Sequence, residues 1–121
     1  MTAPTRLSCH CGAVQFELAH APETVTECNC SFCRRVGVLW AYYTADEVTL
    51  LTEPLNTSTY AWGGRHVDFH RCATCGCLTH WVPRAAGRNQ RGFNARLLDP
   101  EVLAAARLRH KDGAVTGKYL D

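Results

Sequence analysis

Residues 67–83 read Val67-Asp-Phe-His-Arg-Cys72-Ala-Thr-Cys75-Gly-Cys77-Leu-Thr-His-Trp-Val-Pro83. Val67, Phe69 and Arg71 lead at alternate positions into a cysteine pair, and Leu78–Val82 leaves it, closed by Pro83. Alternation with period two is the mark of a strand. Cys72-x-x-Cys75 is knuckle spacing, in which a tight turn points two thiolates inward. Gly76 directly after it can take the left-handed backbone such a turn often needs. Two strands joined by a cysteine knuckle are therefore expected here.

Working outward, the same style of short strand recurs. Val14, Phe16 and Leu18 alternate with Ala13, Gln15 and Glu17, and Gly37–Tyr43 is apolar and uncharged. Val48–Thr52 is ended by Pro54, Thr57–Trp62 is stopped by Gly63-Gly64, and Gly92–Leu98 reads as a late strand after a polar loop over Ala85–Gly92. One helix is expected, with Asp99 as cap, Pro100 at its first position and Glu101–Ala106 as its body, ending before Gly113. Many short strands with Gly and Pro turns favour a mainly β fold. A chain of 121 residues without an interior linker suits a single domain over 1–121.

Eight cysteines fall into three groups: Cys9-His-Cys11, Cys28-Asn-Cys30-Ser-Phe-Cys33, and Cys72 to Cys77. On an extended strand residues i and i+2 face one side. Cys9 and Cys11 can thus offer two sulfurs to one ion, and Cys72 and Cys75 two more. Four thiolates make a closed, structural zinc site. Cys28, Cys30 and Cys33 supply three ligands within six residues. Three protein ligands and an exchangeable fourth position form the catalytic pattern for zinc. Other readings stand beside this one: disulfides, or a second structural site completed by Cys77, Asp68, His66, His70 or His80. Cys77 is taken as a packed, unligated thiol.

Segment 1–11 holds no apolar core of signal-peptide type, and no run approaches the ~20 apolar residues of a membrane helix. A reducing, cytoplasmic setting with no membrane partner is expected, in which cysteine clusters bind metal. The formal net charge is +2, from 13 basic and 11 acidic residues. That balance points away from nucleic acid. Eleven of the basic residues are Arg, whose fork suits carboxylates.

The run Cys9-His-Cys11-Gly-Ala-Val-Gln-Phe-Glu17 resembles the opening of the glutathione-dependent formaldehyde-activating enzymes, a family that includes a centromere-associated branch. Cys28-Asn-Cys30-Ser-Phe-Cys33-Arg-Arg35 is similar to its middle motif, Cys72-Ala-Thr-Cys75-Gly76 to its third, and Asn94-Ala-Arg96 with Leu98-Asp99 to its C-terminal segment. Position 77 departs, being Cys where the family usually has a small polar residue. The resemblance implies an Mss4-like fold of small antiparallel β-sheets around zinc. It implies a structural zinc on Cys9, Cys11, Cys72 and Cys75, and a catalytic, labile zinc on Cys28, Cys30 and Cys33. It also implies a carbon–sulfur lyase-type reaction, in which a thiol such as glutathione condenses with formaldehyde. Arg34 and Arg35 are candidates to bind a carboxylate of that thiol, or else are solvated and offset the zinc–thiolate charge. Asn94 and Arg96 line the same pocket or brace a turn. Trp40, Tyr42, Tyr43 and Trp62 are read as core. The alternative is a non-catalytic, zinc-stapled module for a protein partner; a chromosome-associated role would be expected to need a basic extension.

Overall fold

The computed structural model describes residues 3–121; residues 1 and 2 of the segment read for a leader lie outside them. Two sheets carry the fold. β1 (Thr5–Ser8), β2 (Gln15–Leu18) and β5 (Val48–Leu50) form a three-stranded sheet in the order β1-β2-β5. β3 (Thr24–Cys28), β4 (Trp40–Thr44), β6 (Thr57–Tyr60), β7 (Val67–Cys72), β8 (Leu78–Pro83), β9 (Gln90–Asn94) and β10 (Arg107–Lys111) form the larger one, in the order β10-β3-β4-β9-β8-β7-β6. The molecule is mainly β, as expected.

Period-two alternation decides which face of the large sheet each side chain serves. Along β4, Ala41 and Tyr43 face the small sheet and join Leu7, Val14, Phe16, Leu18 and Phe93 in the main core. Trp40 belongs to a second cluster with Trp81, Val38 and Cys33, and Tyr42 packs against it. Fully burying each large apolar side chain contributes about 1.5–3 kcal/mol. Phe16 and Phe93 meet edge to face with centroids 5.0 Å apart, a favoured aromatic geometry.

Several expectations need correction. Two short helices are present, not at most one: α1 (Cys33–Val36) lies inside the middle cysteine group, and α2 spans Pro100–Ala105. α1 forms because Gly37 takes a left-handed φ of 70° and its N–H bonds the Cys33 carbonyl, closing a single turn that no apolar periodicity announces. Asp99 occupies the cap position of α2 but makes no side-chain cap bond, and the helix stops at Ala105. The late strand runs over Gln90–Asn94, so it enters the expected loop, and Ala95–Leu97 is a 3-10 turn capped by the Asn94 side chain. The sheets are not wholly antiparallel. β10 pairs parallel with β3, matching Arg107 to Thr24 and Lys111 to Cys28. No helix among the described residues is long and apolar enough to cross a membrane.

His80 on β8 is an acid-sensitive point of this core. Its ring is 3 % exposed, stacked on Phe93 and His70 with centroids 5.3 and 4.3 Å away. Burial, helped by the neighbouring His70 and Arg91 charges, pushes its pKa from 6.5 down to about 3. The unfolded chain therefore takes up this proton first. The neutral ring's contribution is complete above about pH 6.5 and is lost as pH falls from there toward 3. Urea unfolding of the metal-loaded protein should lose about 2 kcal/mol more between pH 7 and 5 in wild type than in His80→Phe. Equal losses would show that His80 does not titrate as a buried neutral group.

Candidate metal centres and the clefts beside them

The first group joins two distant turns. Cys9 and Cys11 lie in the β1–β2 turn, while Cys72 ends β7 and Cys75 sits in the knuckle before β8. Their four Sγ atoms all lie within 4.8 Å of one another. Cys9–Cys11 is 3.7 Å and Cys11–Cys72 is 3.6 Å. Zn–S bonds of about 2.3 Å at tetrahedral angles place sulfurs about 3.8 Å apart, so the group has the dimensions of a four-thiolate site. All eight cysteines are free, so no disulfide pairing competes with it.

Backbone amides prepare these sulfurs for a cation. The Val14 N–H donates to Cys9 Sγ at 3.3 Å. Those of Thr74 and Cys75 donate to Cys72 Sγ, each at 3.4 Å. The amide of Cys75 is the main influence lowering the Cys72 thiol, and the amides of Cys77 and Cys11 hold Cys75 at about 5. Hydrogen bonds to the charged form favour it. Gly76 has φ +82°, the left-handed turn read from the sequence.

The second group is Cys28 at the end of β3, Cys30 in the following turn and Cys33 opening α1. Its three Sγ atoms also lie within 4.8 Å of one another. The Cys33 N–H donates to Cys30 Sγ at 3.3 Å, and the Trp40 indole N–H to Cys33 Sγ at 3.3 Å. Burial pushes the Cys33 and Cys28 thiols up, opposed at Cys33 by the Trp40 donor. A cation among them would reverse that tendency, since a coordinating thiol is deprotonated. Among the described residues none of His66, Asp68, His70, Cys77 or His80 joins these sulfurs, and Cys77 packs against the main core instead. Both groups could hold a metal ion, one with four protein ligands and one with three.

A loop absent from the sequence reading covers the second group. Asn29 stands between two of its cysteines. The Asn29 Nδ2 donates to Asp112 Oδ1 at 3.1 Å, and its Oδ1 accepts from the Ala114 N–H at 2.9 Å. Gly113 is thereby pressed onto the site, where a Cβ would collide with Cys28 Sγ. Gly113→Ala should weaken metal at the second site about 10- to 100-fold while the first group keeps its ion, read by competition with a chromophoric chelator. Unchanged second-site affinity would show that the loop merely passes by.

Two clefts open on the Cys28 and Cys33 sulfurs. One, of about 290 Å³, is walled by Glu27, Asn29, Arg34, Gly37, His110 and Lys111. The other, of about 360 Å³, is walled by Trp40, Tyr42, Phe69 and Trp81, with Arg88 and Lys111 at its polar side.

Residues 4–108 match the model of the family described as glutathione-dependent formaldehyde-activating enzyme. The chain belongs to this family. This family member is also similar to a Rhodobacter sphaeroides protein of known crystal structure, at 30 % identity and a TM-score of 0.68, over 85 % of this chain and 98 % of that one.

Within this family member the expected site residues are unevenly gathered. Arg34 lies on the polar cleft beside Cys28 and Cys33. Arg35 turns elsewhere, its Nη1 donating to the Ser31 carbonyl at 2.7 Å, and it borders a groove with Phe32 and Tyr60. Asn94 is spent on structure: it donates to the Leu78 carbonyl at 2.9 Å and accepts from the Arg96 N–H. Arg96 donates from Nε to the Gly37 carbonyl, bracing the end of α1 beside the polar cleft. Trp40 and Tyr42 are cleft walls as well as packing groups, because their face of β4 is left uncovered by the small sheet. Glu27, Asn29, Trp81, Lys111 and Gly113 were not singled out. A Trp or Gly at such positions carries no local signal; pairing across strands places them.

Proposed function

We propose that the chain is a zinc-dependent enzyme of the carbon–sulfur lyase type, joining a small thiol such as glutathione to formaldehyde or a related aldehyde at Cys28, Cys30 and Cys33. The observation that carries this reading is a three-cysteine group that no fourth ligand joins among the described residues, bordering two clefts. A pure staple would gain nothing from an open position. Zinc bound by these thiolates would supply a positive charge that keeps an incoming thiol ionised at neutral pH.

The chain's own residues do the rest. The polar cleft offers both signs of charge, as a zwitterionic thiol requires: Glu27 for an ammonium group, Arg34 and Lys111 for carboxylates. Holding thiol and aldehyde side by side supplies the proximity that an already easy addition can use. The Trp40 indole holds Cys33 in place through its N–H, and the aromatic wall keeps water off one side of the reacting pair. The first group, on Cys9, Cys11, Cys72 and Cys75, carries the structural zinc. A reducing compartment, as in the cytoplasm, would keep both groups available for metal.

The test is calorimetric titration of glutathione into zinc-loaded protein, with formaldehyde–glutathione exchange followed by NMR. Saturable binding, accelerated exchange and about tenfold weaker binding in Arg34→Ala are expected. Two bound zinc ions with no glutathione binding would favour the second reading, a binding module. Exposed aromatic side chains support that alternative: Phe32 stacks on Tyr60 at 5.7 Å and sits 6.5 Å from Trp62, and both partners face solvent.

A further inference from the structure

The two clefts share Cys28, Cys33 and Lys111, yet their walls are unlike. The aromatic one owes its shape to strand register. Tyr42 pairs with Gly92 across β4 and β9, and Gly92 pairs with Trp81 across β9 and β8. Directly opposed residues share one face of a sheet. The middle position of this row has no side chain, and a Cβ there would collide with the Trp81 indole. Trp81 can therefore lie against the strand and leave open space over the row. Trp40 stands edge-on to Trp81 at 6.5 Å, and its N–H reaches Cys33 Sγ. The aromatic wall thus runs directly to a sulfur of the three-cysteine group.

Formaldehyde does not need this space. It is scarcely larger than water, which occupies about 30 Å³ in the liquid, whereas the cleft encloses about 360 Å³. Glutathione does not suit it either. No carboxylate lines this cleft to receive an ammonium group, in contrast to Glu27 in the other cleft. Both charged residues there are cations. Arg88 stands with its guanidinium carbon 5.8 Å from the Trp81 ring centre, at the exposed rim. Flat apolar walls ending in cations fit a flat apolar body ending in an anion.

We propose that the aromatic cleft is the carbonyl-substrate site and that its occupant is an aromatic aldehyde bearing a carboxylate, paired with Arg88. The assignment rests on the thiol–aldehyde reading of the three-cysteine group. In the reaction a bond forms between the thiol sulfur and the aldehyde carbon, and the carbonyl π bond opens. The proton given up by the thiol is balanced by one gained at the carbonyl oxygen, through solvent. The product is a hemithioacetal, with no change in oxidation state and no further reactant.

The probe is 4-formylbenzoate, compared with benzaldehyde and formaldehyde, on the zinc-loaded full chain. Binding is read by tryptophan fluorescence and calorimetry without thiol, and conversion by NMR exchange with glutathione. Saturable binding of 4-formylbenzoate is expected, about tenfold tighter than benzaldehyde, weakened about tenfold in Arg88→Ala and largely restored in Arg88→Lys. Arg88 is exposed, so these variants should fold as wild type does. No saturable binding, or binding indifferent to Arg88→Ala, overturns the assignment. Accelerated formaldehyde exchange with no response to 4-formylbenzoate would leave the thiol–aldehyde reading standing and remove only the aromatic substrate. If neither aldehyde is converted, the reading falls and the substrate assignment falls with it.

Discussion

Cys72→Ser should abolish cooperative folding at ordinary temperature. Cys72 is 1 % exposed. Its sulfur accepts two backbone N–H groups and lies 3.6 Å from Cys11 Sγ, 61 residues away in the chain. Serine would shrink the ligand and weaken its affinity for a soft metal, so the ion would be held by three thiolates or lost. Binding at structural zinc sites is worth about 10–16 kcal/mol in small zinc domains, comparable to the about 5–15 kcal/mol that stabilises a whole domain. Losing even part of it leaves little margin for a fold whose core lies between one small and one larger sheet. Near-ultraviolet dichroism should flatten, and chelator treatment of wild type should reproduce that spectrum. A Cys72→Ser protein that unfolds cooperatively near the wild-type midpoint would sink the structural assignment of this group.

Cys30→Ser should do the opposite: leave the fold and remove the chemistry. Cys30 sits in the turn before α1, half-buried, and its sulfur accepts the Cys33 N–H. The second group draws all three ligands from residues 28–33, so it ties no distant segments together. Its metal therefore contributes little loop closure to the fold. Zinc content should fall from two to one per chain, glutathione binding should vanish, and condensation should drop by about a thousandfold or more, an order reached when a catalytic unit is dismantled. Retention of both ions and of turnover would remove Cys30 from the site. Collapse like that of Cys72→Ser would instead make the second group a staple and favour the binding module.

The contrast between these variants follows from what is local and what is not. Cys28, Cys30 and Cys33 converge within one turn, so their spacing alone announces a shared ion. The Cys72-x-x-Cys75 knuckle, with Gly76 at φ +82°, is equally local. The pairing of that knuckle with Cys9 and Cys11 was inferable because two half-sites of two sulfurs complete one another chemically. Most strands were legible from alternation, since their faces differ in polarity. β1, β3 and β10 were missed because each carries a single aliphatic residue, Leu7, Val25 and Leu108, too few to show an alternation. β10 in particular reads as a charged tail, Arg107 to Lys111, until it is seen beside β3.

Chain chemistry within a few residues thus determined the donor sets, the mainly β character and the family. Tertiary structure alone decided what surrounds the donors. Parallel pairing of β10 with β3 carries Lys111 to Cys28 across more than eighty residues and lets Asn29 latch the Gly113 loop onto the site. Register across β4, β9 and β8 aligns Tyr42, Gly92 and Trp81 into a cleft. Ligand spacing is a property of short backbone geometry and survives in the sequence. A cleft wall is a property of register between strands, where a shift of one residue would turn every one of those side chains to the other face.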